Sequence, residues 1–514
     1  MDFNELLNLV SSDNTRNICV DSRTVADGDI FVAVKGTACD GHDFIDQALA
    51  NGAEYIVCQS APDRRAGWQP QAQLGDGLLR ASNIELIIVD DSTQAAALLA
   101  QTLRGNPACR LTNLAVTGTN GKTTVAFLVR SCIQQAGQKC GLLGTVIYDT
   151  CSGNSSEATL TTPDCMTIAA GQEQMLKNGA KYMVIEASSH ALSQNRLAGI
   201  NFKAAAFTNM AGDHLDYHKT EEDYLAAKTI LFSALSPDAA AVLNKQSPHS
   251  NSITKKTDAK ILWYAIDEPA DIIARIESMD TGGTVFKMEY AGQSAIVKTP
   301  LLGLYNVSNC LAAAGLCLAA GLDLETIAAG LSALKTIPGR LEKIEFACDF
   351  SVLVDYAHTD DALKNVLSTL KPLCKGKLIV VFGCGGDRDK TKRPRMAQVA
   401  EQLADFIIVT SDNPRTEQPD DIIKDIITGF ENYPVEDTIG RTKNSRNTQY
   451  AIRNTIIIEP DRKKAIASAI RTAGKNDIVL IAGKGHETYQ IIGKQKFDFS
   501  DTQIAMEYLT TSRI

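Results

Sequence analysis

The stretch Val116-Thr117-Gly118-Thr119-Asn120-Gly121-Lys122-Thr123-Thr124 decides the fold class. It follows an apolar, β-rich run at 111–116 and leads into a helical pattern over about 123–135. A strand that turns through glycines into a helix aims the backbone N–H groups of the first helical turn at one point, and that point attracts phosphate. In such a loop Lys122 neutralises the outer phosphates and the Thr123 hydroxyl is placed for Mg2+. Gly118 and Gly121 stand closer together than in the common spacing, so this loop is tight. Nucleotide binding is the first expectation.

Outward from this loop, apolar β-rich runs alternate with Ala/Leu-rich helical stretches, the pattern of α/β layers. The 514 residues suggest about three domains. Asn106-Pro107 and Pro338-Gly339 mark the breaks, because the residue before a proline is pushed out of helical geometry. The blocks are therefore 1–106, 107–338 and 339–514. In the first, 29–34 and 55–58 read as strands around a helix at 44–51. In the last, strands at 351–354, 378–382, 406–410 and 478–482 suggest a doubly wound sheet. A helix around 422–430 and a strand at 455–459 flank a polar stretch at 440–454 with four Arg/Lys and no Asp/Glu, which reads as an exposed insertion.

Composition excludes several classes. With 44% hydrophobic and 22% charged residues the chain is neither disordered nor fibrous. The formal charge of -9 argues against a protein that coats nucleic acid or an anionic membrane. No apolar run reaches membrane-spanning length, and the start Met1-Asp2-Phe3-Asn4-Glu5 is unlike a secretory signal, so a cytoplasmic location is expected. The 13 cysteines are scattered, with no CxxC pair, and fit reduced thiols.

Downstream of the phosphate loop, Tyr182-Met183-Val184-Ile185-Glu186 ends a strand in a carboxylate, where a phosphate-loop fold supplies a further metal contact. His214 and His218 have zinc-like i, i+4 spacing but lack the Glu that a metalloprotease uses as base. By physics alone Lys228 reads as a solvated helix lysine.

Taken in order, Gly118-Thr-Asn-Gly-Lys-Thr-Thr124, Glu186-Ala-Ser-Ser-His190, Thr208-Asn209, Asp213-His-Leu-Asp216, Tyr224-Leu-Ala-Ala-Lys228, Gly303-Leu-Tyr-Asn306-Val-Ser-Asn309, Pro338-Gly-Arg340-Leu-Glu342, Asp355-Tyr-Ala-His358, Gly383-Cys-Gly-Gly-Asp-Arg388, Asp412-Asn-Pro-Arg415 and Gly483-Lys-Gly-His-Glu487 resemble the Mur ligase family. These are ATP-dependent amino-acid ligases of peptidoglycan synthesis. The resemblance implies an N-terminal UDP-sugar-binding α/β domain at 1–106, a central P-loop-type ATPase domain at 107–338 and a C-terminal Rossmann-like amino-acid-binding domain at 339–514. Gly118, Thr119, Asn120, Gly121, Lys122, Thr123, Thr124, Asn306, Arg340 and Asp355 then serve ATP. Lys122, Glu186, His214 and Lys228 are the implied catalytic set. Thr123, Glu186, His214 and Lys228 are implied at Mg2+, with Lys228 as a carbamate. Ser22, Thr161, Thr162, Ser188, Gln194 and Arg196 match positions that hold the UDP-N-acetylmuramoyl-L-Ala-D-Glu substrate. Gly212 stands where relatives carry a longer polar residue.

The last loops resemble those members that add meso-2,6-diaminopimelate, which differs from lysine by one distal carboxylate. A guanidinium binds such a carboxylate bidentately, so Arg415 is the expected specificity contact, with Arg388, Asp412, Asn413, Pro414, Gly483 and Glu487 around it. His358 is expected to be a structural neighbour. Two other readings stay open here: another ligase of the superfamily (lysine-adding or folylpolyglutamate synthetase-like), and a P-loop ATPase or nucleotide-binding regulator. The small substrates are the expected partners of a monomeric enzyme, without nucleic acid or membrane.

Overall fold

The computed structural model describes all residues except 14, 37–38, 61–71, 74–78, 81–83, 213–214, 432–434, 438–454 and 512–514. The basic stretch at 440–454 thus falls outside the described residues. The chain forms two compact units, one of residues 1–264 and 312–327, the other of residues 265–311 and 328–514.

The first unit opens with a four-stranded parallel sheet in the order Ile18–Cys19, Ile30–Val32, Tyr55–Cys58, Glu85–Ile88. Side chains alternate across a strand, and both faces are covered, which is why 30–34 reads as a continuous apolar run. Ile30 and Val32 pack with Leu6, Val10 and Leu99 of the helices Phe3–Ser12 and Ser92–Leu103. Phe31, between them, packs on the other side with Ile45 and Leu49 of the helix Ile45–Ala50. At Asn106-Pro107 the chain makes a short 3-10 turn, Pro107–Arg110, with Asn106 left-handed at φ 53°. A chain of buried amides ties this junction to the next layer: Gln101 donates to Gln172 at 2.7 Å and Gln172 to Asn113 at 3.3 Å.

The central sheet has the order Ser156–Glu157, Ile147–Asp149, Cys140–Leu143, Tyr182–Glu186, Thr112–Thr117, Phe202–Phe207, Ala240–Asn244, Lys260–Ile266. The first two pairings are antiparallel and the rest are parallel. Thr112–Thr117 therefore lies in the interior of the sheet, and the helix Lys122–Gln135 leaves its carboxyl end. In such sheets ligands bind at the carboxyl ends of strands, so the phosphate loop stands where the topology presents it.

The second unit holds an antiparallel meander, Ile272–Asp280, Gly283–Tyr290 and Gln293–Thr299. It also holds a seven-stranded sheet in the order Glu342–Lys343, Ser351–Asp355, Ile478–Ala482, Leu378–Phe382, Phe406–Val409, Thr455–Ile458, Val435–Asp437. All its pairings are parallel except the first. Val380, Phe382, Leu480 and Ala482 line one core; Ile379, Val381, Val479 and Ile481 line the other. This is the doubly wound arrangement expected from the sequence. The helix expected around 422–430 instead runs Pro419–Ile427, since a proline at the first helical position is pre-set for helix and starts it earlier.

Buried between the strand ends of this sheet, Arg462 donates to both oxygens of Asp501 at 2.8 and 2.7 Å, and both side chains are fully buried. The same guanidinium reaches the carbonyl oxygens of Ser411 at 3.3 Å and Ala482 at 2.9 Å. It thereby clamps the ends of Phe406–Val409 and Ile478–Ala482, the two strands that flank Leu378–Phe382. The 13 cysteines form no disulfide. Among the described residues no helix is long and apolar enough to cross a membrane.

Asp501→Ala leaves the Arg462 charge buried without its partner. We expect it to cost about 3–5 kcal/mol in the unit that carries it, read as a lower urea midpoint for that transition. The paired Arg462→Met/Asp501→Leu change should cost less than Asp501→Ala alone.

Candidate active site

The phosphate loop is shaped by close approach of backbone. Gly118 has φ 146°, and a Cβ there would lie 1.9 Å from the Thr208 hydroxyl oxygen. Gly121 caps the helix at φ 91°. The strand end at Thr208-Asn209 braces the loop. Thr119 N donates to Asn209 O at 2.9 Å, Asn120 N to Asn209 Oδ1 at 3.0 Å, and Thr208 Oγ1 to Asn120 O at 2.6 Å. Lys122 Nζ turns back on the loop, to Gly118 O at 2.8 Å and Thr119 O at 2.9 Å. Thr123 and Thr124 are buried on the first helical turn.

Glu186, 1% exposed, joins this loop to the next. Its Oε2 accepts from Thr123 Oγ1 at 3.0 Å and Thr145 Oγ1 at 2.9 Å, and its Oε1 accepts from Thr145 N at 2.8 Å. The Glu186 carbonyl in turn accepts from Thr162 Oγ1 at 2.7 Å. Ser188 N donates to Thr162 Oγ1 at 3.0 Å, while Thr145 Oγ1 reaches Thr161 Oγ1 at 3.1 Å. Arg196 Nη1 donates to Thr162 O at 2.8 Å and Arg196 Nη2 to Gln194 Oε1 at 2.7 Å; Gln194 Nε2 reaches the Tyr217 hydroxyl at 3.2 Å. Thr161, Thr162, Ser188, Gln194 and Arg196 thus form one hydrogen-bonded group beside Glu186. Ser22 lies apart from them in the N-terminal sheet layer, where its hydroxyl bonds Gln47 Oε1 at 2.8 Å.

Lys228 is no solvated lysine. It is 1% exposed on the helix Glu221–Ser233, with its Nζ 4.2 Å from the Tyr224 ring centroid. Tyr224 places its hydroxyl 3.1 Å from Thr119 Oγ1, so Lys228 stands one side chain away from the phosphate loop. Of the zinc-like histidine pair, only His218 falls within the described residues. His218 Nε2 meets Ser189 Oγ at 2.9 Å, and its ring lies 5.2 Å from Tyr224. His214 lies outside the described residues.

In the second unit, Asp355 ends the strand Ser351–Asp355 and accepts from Leu341 N at 2.6 Å and Ala357 N at 2.8 Å. Burial pushes its carboxyl upward, against the pull of Arg340 and these two amides. The Arg340 guanidinium lies 4.8 Å from the Tyr356 ring centroid. Burial, reinforced by Glu487, pushes the Tyr356 phenol up to about 12. Asn306 is buried, its Nδ2 donating to Leu302 O at 2.8 Å. His358 packs against the Tyr356 ring at 4.7 Å.

The loops expected to take the amino acid converge at three adjacent strand ends of the same sheet. Asn413 Nδ2 donates to Glu487 Oε2 at 2.8 Å, and Gly483 N to Asp355 O at 3.0 Å. Asp412 and Asn413 are buried. Arg415 does not simply point to water: it takes φ 50°, and its Nη1 donates to Gly386 O at 2.8 Å. A Cβ on Gly386 would lie 1.9 Å from Pro414 O, so the two loops press backbone on backbone there. Arg388 is exposed, its Nη1 3.2 Å from Asp387 O. The fully buried Arg393 grips Glu417 at 3.0 and 2.9 Å, and Glu417 in turn accepts from Asp387 N at 2.6 Å. That bracket sets the distance between the Arg388 and Arg415 loops. Sequence reasoning passed over Thr145, Tyr217 and Lys484; the last two lie inside segments already singled out, and Thr145 had no motif to flag it.

Family models match nearly end to end: "Mur ligase family, catalytic domain" over residues 14–102, "Mur ligase middle domain" over 116–317 and "Mur ligase, glutamate ligase domain" over 339–485. The UDP-N-acetylmuramoyl-L-alanyl-D-glutamate–2,6-diaminopimelate ligase of Geobacillus kaustophilus is 41% identical over 95% of this chain and 93% of its own. The ligase of the same name, numbered 1, from Clostridium acetobutylicum is 37% identical over 96% and 94%. A solved structure of a ligase of that name superposes with TM-score 0.66 at 32% identity, covering 97% of this chain and 95% of that one. The folylpolyglutamate synthase of Mycobacterium tuberculosis, with ADP and AMPPCP, matches at TM-score 0.58 and 20% identity over 75% and 91%, a likeness of fold.

Arg393 holds the Glu417 carboxyl down from its ordinary 4.5 to about 2, with Asp387 N–H and Lys390 adding to the pull. A depressed carboxyl stabilises the fold fully above its unfolded value and loses that contribution as pH falls through its folded one. The bracket is therefore complete above about pH 4.5 and is lost towards about pH 2. In denaturant titrations the stability gap between the parent chain and Glu417→Gln should be widest at neutral pH and should close across that window.

Proposed function

The chain belongs to the Mur ligase family, and from that premise we propose that it joins meso-2,6-diaminopimelate to the D-glutamyl carboxylate of UDP-N-acetylmuramoyl-L-Ala-D-Glu. ATP becomes ADP and phosphate, and the product is the tripeptide precursor of peptidoglycan. One observation carries the reading: identity of 41% over 95% of the chain with a ligase named for that activity. The strand-end loops with Asp412, Asn413, Arg415 and Glu487 support it. An L-lysine-adding reading leaves Arg415 without the distal carboxylate that its guanidinium suits.

A carboxylate is a poor electrophile, so the reaction must first give it a leaving group. The γ-phosphorus leaves ADP as its bond to the bridging oxygen breaks and one to the glutamyl carboxylate forms. The amino-acid nitrogen then attacks the acyl carbon, the carbon–oxygen bond to phosphate breaks, and the amine proton passes to water or a carboxylate. Charge on nucleotide and substrate has to be offset while this happens. Lys122, beside the loop carbonyls, supplies one cation, and the backbone N–H groups at the helix start, from Gly121 to Thr124, supply the cradle. Thr123 Oγ1 and the Glu186 carboxylate are hard oxygen donors 3.0 Å apart, a donor set that suits Mg2+. Bound there, the metal would offset phosphate charge.

By sequence order the domains divide the substrates: 1–106 the UDP-sugar, 107–338 the nucleotide and 339–514 the amino acid. Ser22 is assigned to the uridine side. Thr161, Thr162, Ser188, Gln194 and Arg196 are assigned to the muramoyl-dipeptide, and their mutual bonds beside Glu186 support that. Asn306, Arg340 and Asp355 are assigned to ATP. Arg415 is assigned to the distal carboxylate of diaminopimelate, with Arg388, Pro414 and Gly483 in the surrounding loops. A carbamate on Lys228 would make a buried cation an anion fit to support the metal, together with His214. The near-complete burial of Lys228 favours that form, because an ammonium removed from water is costly.

The test is phosphate release with UDP-N-acetylmuramoyl-L-Ala-D-Glu and ATP. Release should depend on both that substrate and diaminopimelate, and L-lysine should replace the latter poorly; release without the pair would leave an ATPase or regulator. Arg415→Ala should raise KM for diaminopimelate roughly tenfold to a hundredfold, the loss expected when charged hydrogen bonds go, and leave KM for ATP nearly unchanged. Lys228→Ala should nearly abolish turnover, and added acetate or propionate should restore part of it.

A further inference from the structure

Lys484 sits between two residues assigned to the amino acid, Gly483 and Glu487, and its side chain is 0% exposed. Lysine is almost never buried to that extent without partners. Its Nζ lies 3.0 Å from Asn413 Oδ1, 3.0 Å from Glu487 Oε2 and 3.6 Å from Asp412 Oδ1. These oxygens come from both strand-end loops of the proposed amino-acid pocket.

The ammonium decides how these groups face. Asn413 Oδ1 accepts from Lys484 and from Ile491 N at 2.9 Å, so its Nδ2 is turned to Glu487 Oε2 at 2.8 Å. Glu487 Oε2 therefore takes both bonds, and Oε1 is the oxygen left for a ligand. Asp412 is 7% exposed, and its Oδ1 is buried with no hydrogen-bond partner. A buried carboxylate oxygen in that state is costly unless a donor arrives. Behind the pocket Arg462 holds the carbonyls of Ser411 and Ala482; its charge is balanced by its partner Asp501 and also faces Asp412 and Glu487. Arg462 thus fixes the backbone of the two loops, while Lys484 fixes their side chains. With Lys484 in place, Asp412 and Glu487 carry one negative charge in excess, which suits an ammonium. Without it there are two, and the carboxylates of an incoming amino acid are repelled.

We propose that Lys484 is the positioning residue of the amino-acid pocket: its buried ammonium holds Asp412, Asn413 and Glu487 in the arrangement that receives the ammonium of the incoming amino acid. The proposal rests on the assignment of these loops to the amino acid. A strut with no part in recognition would weaken the fold and affect every substrate alike.

The full-length Lys484→Met variant tests this by phosphate release, with KM measured for ATP, for UDP-N-acetylmuramoyl-L-Ala-D-Glu and for whichever amino acid the parent chain uses. KM for the amino acid should rise roughly tenfold to a hundredfold, as when one partner of a buried charge pair is removed. KM for the other two substrates should stay near the parent's. In a Glu487→Gln background the same substitution should cost much less, because the anchored charge is already gone. If Lys484→Met does not fold, Lys484→Gln, which keeps an N–H donor without the charge, carries the same comparison. An unchanged KM for the amino acid, a parallel rise in all three constants, or full additivity with Glu487→Gln overturns the proposal. A parent chain that uses L-lysine and not diaminopimelate would instead overturn the substrate assignment, and Lys484 would still be tested with lysine.

Discussion

The Glu186 carboxylate is the point on which the first unit turns. A carboxylate at 1% exposure is tolerated only when its oxygens are answered. The donors that answer it, Thr123 from the phosphate helix and Thr145 from the end of the strand Cys140–Leu143, come from two different loops. Through its own carbonyl the same residue holds Thr162, and through Thr162 it holds Ser188 and Arg196. The residue proposed to face the metal therefore also sets the spacing between the phosphate loop and the Thr162 group. For a phosphoryl transfer, in which placement and charge do most of the work, that is an economical arrangement.

The second unit solves the same problem with buried cations. Arg462, Lys484 and Arg393 each have a side chain at 0% exposure, and each ties loops that leave different strand ends of one sheet. Loops at the carboxyl ends of a parallel sheet have no ladder of their own, so their shape must come from side chains or tight backbone contact. Arg462 supplies the first through Ser411 and Ala482, and Gly386 against Pro414 supplies the second. A ligase of this family needs a carboxylate, an amine and a phosphate close together, all charged and all partly desolvated. Rigid loops with a built-in charge balance meet that need without help from the average charge of -9.

Much of the fold was legible in the sequence, because apolar periodicity follows from which faces are covered. The strands Tyr55–Cys58, Tyr182–Glu186, Leu378–Phe382 and Ile478–Ala482 begin and end where their apolar runs do. The phosphate loop was legible because glycine has few reasons to recur in that setting. Lys228 misled a reading from propensity alone, since a helix lysine looks the same whether water or a tyrosine ring lies above it. Thr145 and Lys484 were missed for a related reason: each matters through partners distant in sequence. Burial of a polar side chain is a property of the packed chain and leaves no periodic trace.

By itself, then, the sequence determined the α/β layering, the phosphate loop and the order of the family's motifs along the chain. These depend on local pattern and on short spacings, which survive in one dimension. The tertiary structure alone decided which way Arg415 turns, that Thr161, Thr162, Ser188, Gln194 and Arg196 form one group, and that Lys484 faces Asp412, Asn413 and Glu487. The physical reason is that a hydrogen bond or ion pair is made by distance and direction in space. Lys484 and Asn413 stand 71 positions apart in the chain and 3.0 Å apart in the fold.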